Sequence, residues 1–260
     1  MSEIELPYYQ DQNNEIELFE QAYNNQLPLL IKGPTGCGKT RFIEHMAAKL
    51  GRSLYTIACH DDLTATDLVG RHLMNKDGTY WQDGPLTRAV REGGICYLDE
   101  VVEARKDTTV VLHPLSDHRR VLPVERTGEE LVAHPDFMLV ISYNPGYQNV
   151  MKGLKPSTRQ RFVSLSFDYP SPEREVVIVC QESNIDKETA QKIVTLGGDL
   201  RRLKDHDLEE AASTRLLIYT AMMIKSGLDP KEACHACLAQ TLTDETETIA
   251  AIDRLIQIYF

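Results

Sequence analysis

The strongest chemical signal in the sequence is a glycine-rich loop that carries a lysine and a hydroxyl side chain. It reads Gly33-Pro34-Thr35-Gly36-Cys37-Gly38-Lys39-Thr40. Glycines let successive backbone N–H groups face phosphate oxygens, and a helix after the loop adds positive potential at its N-terminus. At this spacing the lysine neutralises the outer phosphates and the last hydroxyl binds Mg²⁺. The loop therefore predicts a site for a nucleoside triphosphate and Mg²⁺, with Lys39 on the phosphates and Thr40 on the metal.

Two carboxylates follow a second apolar run. Residues 95–98 are apolar, and Asp99 and Glu100 come next, sixty residues after Lys39 (99 − 39). Paired acids at this position are also compatible with the start of a solvated helix. After a phosphate-binding loop, we interpret Asp99 as a Mg²⁺ ligand acting partly through water, and Glu100 as the group that polarises the attacking water.

A polar amide follows the next apolar run. Asn144 lies after residues 137–142 and before Pro145. An open parallel sheet presents ligands to the carboxyl edge of its strands, so we predict that Asn144 orients the water or contacts the γ-phosphate. The alternative is an asparagine that only initiates a turn before proline.

Three arginines are candidates for stabilising negative charge on the phosphates. Arg159 and Arg161 precede the mostly apolar run at residues 162–167 (FVSLSF), and Arg215 follows Ser213-Thr214 in the C-terminal part. A guanidinium stabilises the charge that develops in phosphoryl transfer. We predict that Arg161 reaches the γ-phosphate of a neighbouring subunit, with Arg159 as the alternative, and that Arg215 contacts the nucleotide from a lid. A solvated basic turn and a surface arginine are the plainer interpretations.

The apolar runs alternate with helix-like stretches, which predicts an α/β fold of the P-loop type, with a mostly parallel sheet and helices on both faces. Two stretches do not fit this plan and predict hairpin insertions, at Arg71–Asp83 and Arg119–Pro135. Beyond Pro172 only helical periodicity is found, for example at residues 187–196, 213–226 and 231–240. We predict a nucleotide-binding α/β domain at residues 1–170 and an all-helical lid domain at residues 171–260.

The composition limits the classes of partner. The 260 residues carry a net charge of −11, which argues against a nucleic acid or an anionic membrane surface, because both are bound through clustered lysine and arginine. The sequence has no apolar run near the roughly 20 residues that span a bilayer, and no signal pattern at its start. We expect a cytoplasmic protein with no nucleic-acid partner and no membrane span.

Taken in this order, the motifs resemble those of a AAA+ ATPase, and the two insertions resemble its MoxR branch. Three segments are similar to the CbbQ/NorQ group: Cys59–Ala65 (CHDDLTA), Tyr97–Asp107 (YLDEVVEARKD) and Tyr143–Gln148 (YNPGYQ). The resemblance extends from about Gln26 to the end of the chain. Its motifs are specific for the group and do not separate the members within it.

The resemblance implies a homo-hexamer that hydrolyses ATP between subunits, with ATP and Mg²⁺ as cofactors and a partner that contains a von Willebrand factor A domain (CbbO/NorD type). CbbQ proteins with CbbO reactivate rubisco by releasing inhibitory sugar phosphates. NorQ proteins with NorD support assembly of nitric oxide reductase, including its metal centre. We expect a rubisco activase subunit, with a NorQ-type maturation factor as the alternative. A nucleotide switch without turnover would leave Glu100 and the arginines without a role.

Overall fold

A computed structural model describes residues 6–147, 154–203 and 210–260; Gln148 lies outside them. The chain forms two compact units. The first comprises Met1–Pro34 and Lys39–Phe167, and the second comprises Thr35–Gly38 and Asp168–Phe260, as far as these are described. The tip of the glycine-rich loop is thus grouped with the helical part of the chain. The domain boundary at residue 170 stays a prediction.

A five-stranded sheet lies at the centre of the first unit. The strands of the whole chain are β1 Leu29–Lys32, β2 Leu54–Ala58, β3 Gly70–Asn75, β4 Gly78–Asp83, β5 Ile95–Asp99, β6 Val121–Val124, β7 Glu129–Val132, β8 Met138–Tyr143 and β9 Val163–Ser166. The central sheet has the order β2-β5-β8-β1-β9, and every pairing in it is parallel. The predicted parallel sheet is confirmed, and β5, β8 and β9 coincide with the runs noted at residues 95–98, 137–142 and 162–167.

Helices cover both faces of this sheet. The helices of the first unit are α1 Glu15–Asn24, α2 Lys39–Leu50, α3 Ala65–Val69, α4 Pro85–Glu92, α5 Lys106–Val110 and α6 Pro156–Arg159, of which α1 to α4 pack on the sheet. On one face, Phe19 of α1 and Phe42 of α2 pack with Tyr97 of β5. On the other face, α3 and α4 pack with Leu98 of β5. Successive strand residues point to opposite faces, so two buried faces require the nearly continuous apolar runs seen in the sequence.

Two antiparallel hairpins are added to the first unit, as predicted. They are formed by β3 with β4 and by β6 with β7. Arg91 of α4 joins them: its Nε donates to Oδ2 of Asp83 at 2.9 Å, and its Nη1 and Nη2 donate to the two carboxylate oxygens of Glu129 at 2.8 and 2.5 Å. One guanidinium therefore bridges the end of the first hairpin and the second hairpin.

The second unit is helical apart from its loop residues. Its helices are α7 Pro172–Ser183, α8 Lys187–Leu203, α9 Thr214–Lys225, α10 Pro230–Cys234, α11 Gln240–Leu242 and α12 Thr246–Tyr259. The single helix predicted at residues 231–240 is interrupted by a π-helical segment, His235–Ala239. Val179, Ile193, Leu217 and Ile252 lie in one buried core. Among the described residues, no helix is both long and apolar enough to cross a membrane.

A buried ion pair connects three helices of this unit. Glu175 of α7 is 1% exposed and accepts hydrogen bonds from Arg201 of α8, at 2.8 Å from Nη1 and 2.6 Å from Nη2. Oγ1 of Thr214, the first residue of α9, donates to the same carboxylate at 2.6 Å. The Arg201 guanidinium also lies 4.0 Å from the centroid of the Tyr169 ring, and the Tyr169 hydroxyl donates to the carbonyl of Thr35 at 3.2 Å. The loop tip is thereby connected to the ion pair.

Candidate active site

The predicted chemical residues of the first unit converge at one edge of the sheet. Strand β8 lies between β1 and β5, and all three are parallel, so their carboxyl ends are neighbours. The glycine-rich loop follows β1, Asp99 ends β5, and Asn144 directly follows β8. Strand order, which the sequence does not state, brings these three motifs together.

Lys39 is a buried cation at the start of α2. The residue is 6% exposed, and its Nζ donates to the carbonyls of Gly33 and Pro34, both at 2.9 Å. The same Nζ lies 4.0 Å from Oε1 of Glu100. A buried ammonium that is held by carbonyls and faces a carboxylate is placed to receive an anionic ligand.

Two glycines of the loop adopt left-handed backbone conformations, with φ of +67° at Gly36 and +100° at Gly38. Within the second unit, a Cβ added at Gly36 would lie 2.5 Å from Cβ of Ser213 and 3.6 Å from Cβ of Arg215. At Gly38 an added Cβ would meet no heavy atom within 4 Å. Both sites need glycine for their φ, and Gly36 also needs it for space. Cys37 between them is 2% exposed.

Glu100 has an unusual backbone conformation for a non-glycine residue, with φ 53° and ψ 49°. Its Oε2 accepts a hydrogen bond from the backbone N–H of Asn144 at 3.2 Å. Desolvation raises the pKa of Glu100, the Lys39 ammonium opposes this shift, and the Asp99 carboxylate adds to it. Left-handed residues of this kind cluster at functional sites, where the surrounding structure supports the strain.

The structure shows the turn at Asn144, and its predicted role at the nucleotide stays a prediction. The residue is 7% exposed, and its Oδ1 accepts a hydrogen bond from the N–H of Gly146 at 3.0 Å, which is the geometry of a turn. Its backbone N–H contacts Glu100, so the same residue also lies at the acid pair. The turn that Asn144 forms therefore does not prevent its side-chain amide from acting beside Glu100.

Asp99 lies in a hydroxyl network that the sequence analysis did not predict. Its Oδ1 accepts hydrogen bonds from the Tyr97 hydroxyl at 2.7 Å and from Ser142 Oγ at 2.6 Å. Ser142 Oγ also accepts from the backbone N–H of Glu100 at 3.3 Å. The Thr40 side chain hydrogen-bonds to Tyr97, whose pKa burial raises well above its usual range. The available signal was a tyrosine two residues before an acid in an otherwise apolar strand.

The three arginines differ in their surroundings. Nη1 of Arg161 donates to the carbonyl of His113 and to Oδ2 of Asp117, both at 3.1 Å. Arg159 is exposed at the end of α6, and Arg215 is exposed in the first turn of α9. The Arg161 guanidinium is therefore held by hydrogen bonds, whereas those of Arg159 and Arg215 are exposed. The predicted roles of all three arginines stay predictions.

The donor set fits a nucleotide with Mg²⁺. Two loop glycines have positive φ, a conformation in which successive backbone N–H groups can line an anion site, and the buried Lys39 follows them in the sequence. Thr40 and Asp99 offer oxygen atoms, which hard cations such as Mg²⁺ prefer. These residues could hold the phosphates and the metal.

Two family models match the chain. Residues 28–162 match the AAA domain of the dynein-related subfamily, and residues 175–259 match the CbbQ/NirQ/NorQ C-terminal domain. Among solved structures, a mutant of RuvB from Thermotoga maritima has a TM-score of 0.56 at 14% identity, over 95% of this chain and 72% of that one. At such an identity the likeness shows the AAA fold alone.

Curated relatives are much more similar. The chain is 63% identical to the denitrification regulatory protein NirQ of Stutzerimonas stutzeri, over 98% of this chain and 93% of that protein. It is 60% identical to protein NorQ of Paracoccus denitrificans, over 94% of this chain and 90% of that protein. It is 56% identical to protein CbbQ of Hydrogenophilus thermoluteolus, over 98% of this chain and 95% of that protein. With these relatives and both family models, the chain is an ATPase with an AAA domain, and it belongs to the CbbQ/NirQ/NorQ family.

Proposed function

We propose that this protein hydrolyses ATP with Mg²⁺ at the carboxyl edge of its sheet and uses the cycle to remodel a client protein. The observation that carries the proposal is the joint position of Lys39, Glu100 and Asn144. The lysine amine lies 4.0 Å from one oxygen of the glutamate, and the asparagine N–H lies 3.2 Å from the other. A cation for phosphates and a base for water thus lie side by side.

Bound ATP supplies the bond to be broken, and Mg²⁺ neutralises charge on its phosphates. In the proposal, Lys39 binds the outer phosphates, and the backbone N–H groups of residues Gly33–Thr40 surround them. Glu100 orients the attacking water and accepts its proton, which is favoured because desolvation raises the pKa of this carboxyl and makes it a stronger base. Asn144 holds Glu100 through its N–H and positions the water with its amide.

We assign the trans-acting guanidinium to Arg161, with Arg159 as the alternative. The contacts of Arg161 with His113 and Asp117 both use Nη1. Such anchoring reduces the conformational entropy that a flexible arginine loses on binding a phosphate. Arg159 is exposed and would lose more conformational entropy on binding a phosphate. Arg215 is proposed as the contact from the helical unit, since its Cβ lies 3.6 Å from the position of a Cβ on loop residue Gly36.

The assembly and the client are proposed from the relatives. We infer a homo-hexamer with a partner that bears a von Willebrand factor A domain. Identities of 63% to a NirQ and 60% to a NorQ, against 56% to a CbbQ, favour a denitrification client, nitric oxide reductase. Rubisco, with a CbbO-type partner, is the second candidate, so the order expected from the sequence alone is reversed.

The proposal is tested by reconstituting both clients in parallel. Each reaction contains this protein, ATP, Mg²⁺ and the matching partner, with either inhibitor-blocked rubisco or nitric oxide reductase expressed without its maturation proteins. We expect ATP-dependent gain of nitric oxide reduction, and no gain with Glu100→Gln. Recovery of carboxylation instead would select rubisco. Brisk ATP hydrolysis with neither recovery would contradict both clients.

A further inference from the structure

The hydroxyl network around Asp99 goes beyond the roles proposed so far. Tyr97 is fully buried at 0% exposure, and so is Ser142. In the register of the sheet, Leu98 is opposite Ile141, which places Asp99 beside Ser142 on the neighbouring strand. Tyr97 and Asp99 are two residues apart in β5 and so point to the same face. This face packs against α2, which carries Thr40 near its start.

The donors and acceptors of this network can be assigned from its contacts. A backbone N–H only donates, so Ser142 Oγ accepts from Glu100 and has its own proton left for Oδ1 of Asp99. Tyr97 likewise donates its single proton to Oδ1 of Asp99, at 2.7 Å. Its oxygen can then only accept hydrogen bonds: the Thr40 hydroxyl hydrogen-bonds to it, and Ser142 Oγ lies 3.1 Å away.

The direction of these hydrogen bonds matters for a side chain that binds a metal. A threonine hydroxyl that coordinates Mg²⁺ through its oxygen must direct its proton elsewhere, and an unpaired buried proton costs free energy. Tyr97 accepts the hydrogen bond from that hydroxyl and donates its own O–H to Asp99. Among the described residues, the two hydroxyls that donate to Asp99, those of Tyr97 and Ser142, both bind its Oδ1, which leaves Oδ2 for the cation.

We propose that Tyr97 is a positioning residue that orients both Mg²⁺ ligands, the Thr40 hydroxyl and the Asp99 carboxylate, and that Ser142 fixes the second of these. Apolar packing alone would be satisfied by phenylalanine at this site. The tyrosine oxygen is the single atom of the network that contacts both ligands. This inference rests on the proposed nucleotide site and adds to it the residues that hold the metal ligands in place.

The test compares Tyr97→Phe with Tyr143→Phe. Tyr143 is 2% exposed in the adjacent strand and packs on the opposite face of the sheet, so it controls for the loss of a buried hydroxyl. Binding of Mn²⁺ in the presence of ADP is measured by electron paramagnetic resonance, and ADP binding is measured separately in excess chelator. For Tyr97→Phe we expect Mn²⁺ affinity to fall about 10- to 100-fold, the usual loss for groups that orient metal ligands. ADP affinity in chelator stays as in the wild type.

Ser142→Ala provides a second line if Tyr97→Phe does not fold, with an expected fall of roughly threefold to tenfold. Wild-type Mn²⁺ affinity in folded Tyr97→Phe and Ser142→Ala would overturn the positioning role. An equal loss of ADP affinity in chelator would also overturn it, because that pattern indicates a general structural role. Failure of the wild-type protein to bind Mn²⁺ with ADP would overturn the nucleotide site itself, and is distinguished from the other outcomes by the wild-type measurement.

Discussion

Glu100 shows how a single residue can be placed by its backbone. Its left-handed conformation turns the chain sharply after β5, so that the carboxylate meets Lys39 on one side and the N–H of Asn144 on the other. A non-glycine residue pays of order 1 kcal/mol for this conformation. Contacts of Glu100 with Lys39, Ser142 and Asn144 offset this cost.

We predict that Glu100→Gln keeps ATP binding and lowers kcat by about 10²- to 10⁴-fold, since the amide cannot accept the proton of water. Phosphate release measures turnover, and a fluorescent ATP analogue measures binding. Glu103→Gln, three residues further along the chain, is the matched control and should retain turnover. Wild-type kcat in Glu100→Gln would remove Glu100 from its proposed role.

Among the secondary-structure elements, α7, α8 and the start of α9 are joined by charge as well as by apolar packing. Glu175 receives two hydrogen bonds from Arg201 and one from Thr214, with 1% of the residue exposed. A buried pair of this kind stabilises little relative to well-packed apolar residues, but loss of one partner leaves the other charged and unpaired.

We therefore predict that Glu175→Gln destabilises the helical unit by about 3–5 kcal/mol, whereas the paired change Glu175→Leu with Arg201→Met recovers most of the loss. Hydrogen exchange of the full chain in increasing urea resolves the two units and measures the change in α7 and α9. A loss below about 1 kcal/mol in the single variant would show that the pair is solvated in solution, as surface pairs are.

At the scale of the whole molecule, the proposed ring needs a residue from one subunit at the nucleotide of the next. Lys39 and Arg161 are assigned to opposite sides of that interface. Mixing Lys39→Ala with Arg161→Ala subunits should therefore restore part of the ATP hydrolysis, because some interfaces combine an intact lysine with an intact arginine.

The control for this mixing experiment is the double variant Lys39→Ala with Arg161→Ala, added to Arg161→Ala. No interface in that mixture has both groups, so hydrolysis should stay at background. Absence of recovery at every mixing ratio of the single variants would count against Arg161, and the same series with Arg159→Ala would then test the alternative.

The sequence was sufficient to predict the strands, both hairpins and the motifs that meet at the sheet edge, because each has a local signature. It did not predict the partners of Asp99, since Ser142 is 43 residues away and only the strand register makes them neighbours. Nor did it predict the contact between Arg161 and Asp117, which are 44 residues apart. Contacts of this kind depend on strand order and loop geometry, which have no local pattern. Tyr97 was missed for another reason, because an aromatic residue in an apolar strand is usually only core.

The guanidinium of Arg91 has a mechanical consequence for the two hairpins. Asp83 ends one hairpin and Glu129 begins a strand of the other, and both carboxylates bind the same side chain on α4. Displacement of one hairpin relative to α4 would lengthen or break hydrogen bonds of a guanidinium that also binds the other hairpin. A partner that displaces one hairpin would therefore perturb the same side chain that binds the other hairpin.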